Sequence, residues 1–361
     1  MGQPGSASKW PFRSKSSRLT QPPPTQKRLK LWTKKTAKPG SVPRGRLLAE
    51  PTREKLGLWK KKNLAIWKIF RGNIIGMAGL AILVFFILMA LFSPQFMWVM
   101  SWMSGAAGHP WNTVYTPFAP TGDGVMRHAS WEHWMGTDHL QRDILSRTIY
   151  GSRVSLIIGL VATAVSMGLG TLIGLLSGFW GGWRDEVLMR ITDVFLVLPW
   201  LVLMIILATL LPGGPSVTKV VFVIGITGWS STARIVRAQV LSLKERIFIE
   251  RARAIGSSDY HIVRRHIFPN VFPLVFANSI LTVAISILSE STLSFIALGP
   301  PPSKVVTWGN ILYDATSHNA MINGMYSWIV MPGLCIVFVV LSFTFIGYAL
   351  DEIFNPKLRK R

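Results

Sequence analysis

The chain has one cysteine, Cys335, among 361 residues, so no intramolecular disulfide framework is available to it. It contains no glycine-rich loop ending in Lys-Ser or Lys-Thr, the pattern that cradles nucleotide phosphates, so nothing in the sequence points to ATP hydrolysis by this chain itself. Its seven histidines form no Cys/His/Asp set with ligand spacing, although His128 and His133 share a loop, so neither a metal nor a cofactor is expected. Acidic residues are scarce: 16 Asp and Glu stand against 39 Lys and Arg, a net charge of +23. The N-terminal region lacks the early apolar core of a signal peptide, and no segment between the apolar runs is large enough to fold as a soluble domain.

Apolar length is plentiful. Half of the residues are hydrophobic and mean hydropathy is +0.37, too apolar for a soluble domain. Six runs approach the roughly 20 residues that a bilayer crossing needs: 74–92, 154–176, 191–211, 220–241, 271–298 and 328–350. The second is rich in Gly159, Gly168, Gly170 and Gly174, small residues that let helices approach closely in lipid. Pro199 predicts a kink in the third. The fourth is the weakest, because Arg234 and Arg237 crowd its second half.

The basic excess is concentrated at one end. Residues 1–73 carry 19 Lys and Arg and two acids, Glu50 and Glu54. Residues 1–55, with Pro22-Pro23-Pro24 and scattered lysines, read as a disordered basic tail attracted to anionic lipid. No nucleic-acid-binding signature accompanies the charge, so nucleic acid is not expected as a partner. Residues 56–73 mix Leu56, Trp59, Ile66, Trp67 and Phe70 with lysines, as an amphipathic interfacial helix or an extension of the first span would. With the tail inside, segments 1–73, 177–190, 242–270 and 351–361 hold 31 Lys and Arg, and outer segments 93–153, 212–219 and 299–327 hold 6. The asymmetry places both termini in the cytoplasm.

One inner segment carries more than charge. Ile249-Glu250-Arg251-Ala252-Arg253-Ala254-Ile255-Gly256 reads as a short helix ended by a glycine. Ala252 and Ala254 are small enough for a partner to approach. Ser257, Ser258 and Asp259 are N-cap candidates for a second short helix running to Arg265. Pro269 marks a further boundary. Helix, turn and helix, ringed by Arg251, Arg253, Arg264 and Arg265, make a surface that suits a groove on a soluble partner; the alternative is an ordinary loop held to headgroups by its arginines.

This loop resembles the EAA loop by which membrane subunits of binding-protein-dependent ABC importers dock onto their ATPases. Glu250, Ala252, Gly256 and Pro269 match that pattern, and Arg251 departs from it. The run Gly136-Thr137-Asp138, Arg142-Asp143, Leu145-Ser146-Arg147, Gly151, Arg153 and Ser155-Leu156 is similar to the signature of the dipeptide/oligopeptide branch, with Gln141 where glycine is usual. Read from the residues, its charges stand at helical spacing and suit a structural clamp at the outer surface. Stretches 178–199, 228–241 and 289–309 fit the same branch in the same order.

The resemblance implies an all-α integral membrane protein of six transmembrane helices with the type I importer permease fold, most like the second (C-type) permease. It implies a homologous partner permease, two ATP-binding subunits that carry the ATP and magnesium, an extracytoplasmic substrate-binding protein and surrounding membrane lipid, in the cytoplasmic membrane of a prokaryote. Peptides are the expected cargo, with nickel, glutathione and oligosaccharides as alternatives within the branch. The site residues it implies are Glu250, Ala252, Ala254, Gly256, Ser258 and Pro269 for coupling to the ATPases. Glu290 and Ser294 are candidates for the translocation path. A buried acid in a span usually finds a partner, so a structural hydrogen bond is the favoured reading of Glu290. A self-sufficient channel or ion-driven carrier is the rival class; it would want paired intramembrane charges or an inverted repeat, and the sequence offers one clear mid-span acid.

Overall fold

The computed structural model describes residues 64, 67–96, 99, 126–131 and 133–354. The tail 1–55, most of segment 56–73, much of the outer loop and the last seven residues lie outside the described residues. Among the described residues the chain is helical without a strand, apart from one isolated bridge between Thr137 and Asp143.

Its principal α-helices among the described residues are, in order, α1 (Ile74–Leu91), α2 (Ile144–Trp180), α3 (Gly182–Val197), α4 (Trp200–Leu210), α5 (Val217–Lys244), α6 (Ile247–Ala254), α7 (Asp259–Ile262), α8 (Phe268–Phe295), α9 (Trp308–Ser317) and α10 (Ser327–Phe354). Among the described residues five helical stretches are long and apolar enough to cross a bilayer, and the bent pair α3 and α4 makes a sixth when taken as one span. Before α1, Trp67–Arg71 is helical and a turn at Gly72 follows. Asn73 then caps α1, its side chain accepting from the Gly76 amide at 2.9 Å. That turn separates the helical residues 67–71 from α1.

Two spans differ from expectation. The second begins at Ile144, ten residues early, because Asp143 caps it: the Asp143 carboxylate accepts from the Ser146 amide at 2.7 Å. The third is not one kinked helix. Leu198 is extended, Pro199 is non-helical, and α3 and α4 meet at 98°. Proline disfavours a helical conformation at the residue before it and cannot donate to the turn above, so the break falls there.

α2 is the central helix, packed along α5. A Cβ on Gly170 would stand 2.6 Å from the Trp229 carbonyl oxygen, and one on Gly174 would stand 2.6 Å from that of Ala233. Any larger residue would force the pair apart. Gly159 admits Ile287 of α8 in the same way, whereas Gly168 faces open space and serves no packing. The weak fourth span has its explanation in α3. Arg237 makes a two-pronged contact with Asp185 at 2.6 Å on each arm, and Arg234 reaches Asp193 at 2.6 Å.

Candidate functional site: the coupling loop and the buried networks

The loop between α5 and α8 is held by burial of one side of each short helix. Ile249 and Ala252 of α6, Ile262 of α7, and Ile267 and Val271 beyond it form one apolar cluster with Leu175 and Phe179 of α2 and Val236, Val240 and Leu243 of α5. Each fully buried isoleucine contributes about 1.5–3 kcal/mol. Arg253 lies over the Phe179 ring at 5.6 Å and Lys244 over the same ring at 5.9 Å, which ties the loop's charges to the end of α2.

Gly256 ends α6 with φ +84°, a left-handed conformation that costs glycine little. The Ser257 amide donates to the Ala252 carbonyl and the Gly256 amide to that of Arg253, closing the turn. Ser258 caps α7, its hydroxyl accepting from the His261 amide at 3.4 Å.

The six coupling candidates therefore divide. Glu250, Ala254, Gly256, Ser258 and Pro269 are exposed, and Ala252 is buried. Ala252 lies in the cluster with residues of α2 and α5, where a small side chain fits. Sequence reasoning missed the apolar side chains on the outer side: Ile247, Phe248, Ile255 and Tyr260 are exposed, Ile255 to 83%. Their signal was present, as hydrophobic residues interrupting an otherwise basic stretch.

Pro269 does not stop the helix. The chain is helical from Asp259 through to Phe295, by way of a π turn at Val263–Ile267. The Phe268 amide donates to the Val263 carbonyl, five residues back. A proline ring clashes with the carbonyl four residues before it. Widening the turn just upstream relieves that clash and lets the rod continue.

Glu290 is fully buried on α8. It accepts from Ser294 at 2.8 Å and from Ser155 of α2 at 3.1 Å. Ser155 in turn accepts from the Trp308 amide of α9 at 3.3 Å. Ser294 is also fully buried, and Gly299 and Gly309 close over it without room for a Cβ. Glu290 and Ser294 thus join α2, α8 and α9.

Residues 170–360 match the family described as "Binding-protein-dependent transport system inner membrane component". Residues 64–112 match the N-terminal transmembrane domain of oligopeptide transport permease C. The oligopeptide transport system permease protein OppC of Bacillus subtilis is 34% identical over 82% of this chain and 92% of its own length. The dipeptide permease DppC of the same organism is 31% identical over 81% of this chain and 85% of its own. The glutathione transport system permease GsiD of Pectobacterium atrosepticum is 35% identical over 63% of this chain and 73% of its own. The chain belongs to the binding-protein-dependent permease family.

At its other end the permease holds an ionic clamp. Arg142 donates to Asp138 at 2.7 Å and to Asp314 at 3.3 Å. Arg147 meets Asp138 at 3.2 Å and donates to Asp314 at 3.0 Å. All four side chains are buried. Asp143 does not pair with Arg147 despite its helical spacing; it caps α2 and contacts His133 at 3.0 Å. Arg153 is exposed. The expected clamp is present, and its decisive partner, Asp314 of α9, was missed. The signal was faint: a lone acid in the segment between the last two spans.

The permease also stacks His139 on His318 at 3.6 Å, beside Trp328. Burial pushes the His139 imidazole down to about 4, and burial pushes the Asp314 carboxyl up against the pull of Arg147 and Arg142. Ligand atoms of Asp138, His139 and Asp314 lie within 4.8 Å of one another, a grouping that sequence spacing does not reveal. Both carboxylates already bind two guanidiniums, so the group's charge is met and its chemistry is that of a clamp.

Proposed function

We propose that this permease forms half of the translocation path of an ATP-driven peptide importer and couples that path to separate ATPase subunits through the turn at Gly256. The observation that carries the reading is the two-sided loop. One side is fastened to α2 and α5 by Ile249, Ala252, Ile262 and Ile267, and the other presents Ile247, Phe248, Ile255 and Tyr260 to a partner. A push on that outer side is delivered to two long spans, because the inner side has no freedom to slide. For coupling, the ATPases must bind the two states of the permease with different affinity.

In this reading the chain works in the cytoplasmic membrane of a prokaryote with both termini in the cytoplasm. A homologous second permease completes the path, two ATP-binding subunits hold the ATP and magnesium, and an extracytoplasmic binding protein delivers cargo. Peptides are favoured because relatives along most of the chain are named for oligopeptides and dipeptides. Glutathione, itself a modified tripeptide, is the second reading, on the strength of the glutathione permease relative.

Affinity purification of the tagged chain from native membranes in mild detergent tests the assembly. Recovery of a second permease and two ATPase chains supports it; recovery of the chain alone under several mild conditions overturns it and favours a self-sufficient carrier. In the assembled complex, Gly256→Asp should reduce ATP-driven uptake at least about ten-fold while insertion stays normal, because the new side chain meets the strained positive φ at the docking turn. Normal uptake in that variant would sink the coupling role.

A further inference from the structure

A cleft of about 430 Å³ lies where α1 begins and α10 ends. Lys68 and Asn73 line one side, and Ala349 and Glu352 line the other. Its size falls within the roughly 300–1,000 Å³ of small-ligand sites. The border between apolar and polar sequence crosses it on both sides. α1 is apolar from Ile74 onward, with Lys68, Arg71 and Asn73 before it; α10 is largely apolar up to Leu350, with Asp351 and Glu352 after it. In a chain with these spans, that border sits at the depth of lipid headgroups. Trp67, next to Lys68, is half-exposed and stacks on Phe70, as an interfacial aromatic does.

The walls of the cleft are fixed. Phe70 is buried and packs with Ile346 and Ala349 of α10. Gly76 brings α1 so close that a Cβ there would stand 2.6 Å from the Ala349 Cβ. The Gly72 and Asn73 amides donate to the Ile69 and Phe70 carbonyls at 3.1 and 3.0 Å, and this turn holds Lys68 at the rim. Asn73 spans the cleft: its oxygen caps α1, and its amide nitrogen donates to the Glu352 carboxylate at 3.0 Å. The charges are opposite and apart. Among the described residues Lys68 pairs with no acid, Glu352 included, and Glu352 has Asn73 as its one side-chain partner. Two opposite charges that share a cleft without closing on each other suit a ligand that carries the complementary pair. The start of α1 and the end of α10 add backbone dipoles of the same two signs on the same two sides.

We infer that this cleft binds the headgroup of a zwitterionic phospholipid with a primary amine, phosphatidylethanolamine, its phosphate at Lys68 and its ammonium at Glu352. A lysine ammonium binds phosphate as a point charge, and a carboxylate takes charge-assisted hydrogen bonds from a primary ammonium. A quaternary choline has no N–H to donate, so it forfeits those bonds. An anionic headgroup such as glycerol phosphate meets Lys68 but is repelled by Glu352. Exposed Ile69, Ile74 and Ile75 continue the apolar surface beside the cleft, where acyl chains lie. The inference concerns the chain's seat in the bilayer and does not rest on the importer reading.

The full chain, purified in mild detergent, is mixed with equimolar phosphatidylethanolamine, phosphatidylcholine and phosphatidylglycerol of matched acyl chains, and retained lipid is counted by native mass spectrometry. The ethanolamine lipid should be retained about five-fold over either competitor, the most that one exposed ion pair supplies. Lys68 and Glu352 are exposed, so changes there leave the packed core intact. Glu352→Gln keeps an oxygen for Asn73 and removes the charge; it should bring the ethanolamine and choline lipids within about two-fold of each other. Glu352→Lys should turn the preference to phosphatidylglycerol, and Lys68→Gln should lower retention of the ethanolamine lipid. Glu245→Gln makes the same charge change at an exposed acid after α5 and should leave the preference as it was. Equal retention of the three lipids by the unaltered chain overturns the inference and gives the cleft to ordinary boundary lipid or to a protein partner. A preference that survives Glu352→Gln, or that Glu245→Gln abolishes equally, also overturns it.

Discussion

Asp314 carries more of the ionic clamp than its surroundings in the sequence suggest. Its carboxylate receives both Arg142 and Arg147. Removing one partner of a buried ionic network leaves the other charges uncompensated, at a cost of about 3–5 kcal/mol. Asp314→Ala should therefore lower the unfolding temperature of the detergent-purified protein sharply, and an unchanged melt would show the clamp to be ornamental. His139 gives this face an acid sensitivity. Its folded pKa of about 4 lies below the ordinary 6.5. Between those values the unfolded chain binds a proton that the folded chain refuses, so the imidazole's contribution to stability is lost as pH falls from 6.5 toward 4. Asp314, displaced upward, works in the opposite direction and offsets part of this. The discriminating measurement is the melting temperature of the native chain against His139→Phe at about pH 7 and pH 5: the native chain should lose more on acidification.

At the scale of elements, the α2–α5 contact and the π turn do most to place the loop between α5 and α8. Gly174 has the Ala233 carbonyl and Val236 within 2.7 Å of where a Cβ would stand. Gly174→Val should cost at least about 2 kcal/mol through overpacking, read as loss of folded protein in a thermal aggregation assay. Gly168→Ala makes the internal control: it meets open space and should be neutral or stabilising by up to about 1 kcal/mol. Helix–turn–helix was legible from Gly256 and Ser258, because caps and positive-φ turns are encoded within a few residues. The role of Pro269 was not. Whether a proline ends a helix or is absorbed by a π turn depends on what holds the two flanking turns, and here Ile262, Ile267 and Val271 are anchored in the same cluster.

On the scale of the whole molecule, the described residues form a set of spans with a buried ionic clamp at one end and, at the other, the helix–turn–helix loop for which docking is proposed. The basic residues 1–55 lie outside the described residues. Deleting them should leave ATP-driven uptake by the reconstituted complex within about two-fold and weaken binding of the chain's N-terminal region to anionic vesicles. Loss of uptake on that deletion would give the tail a role in transport.

The sequence by itself determined the class of molecule, most of its apolar spans, and the turn at Gly256. Hydrophobic length, cap residues and glycine conformation are local properties, and a bilayer reads them one segment at a time. Only the tertiary structure decided which side of each helix matters. It turned Ala252 inward and left Ile255 out. It enclosed Glu290 between Ser155 and Ser294. It also brought Asp314 to Arg142 across 172 residues. Those outcomes depend on how the helices rotate and approach, which is settled by packing among segments far apart in the chain.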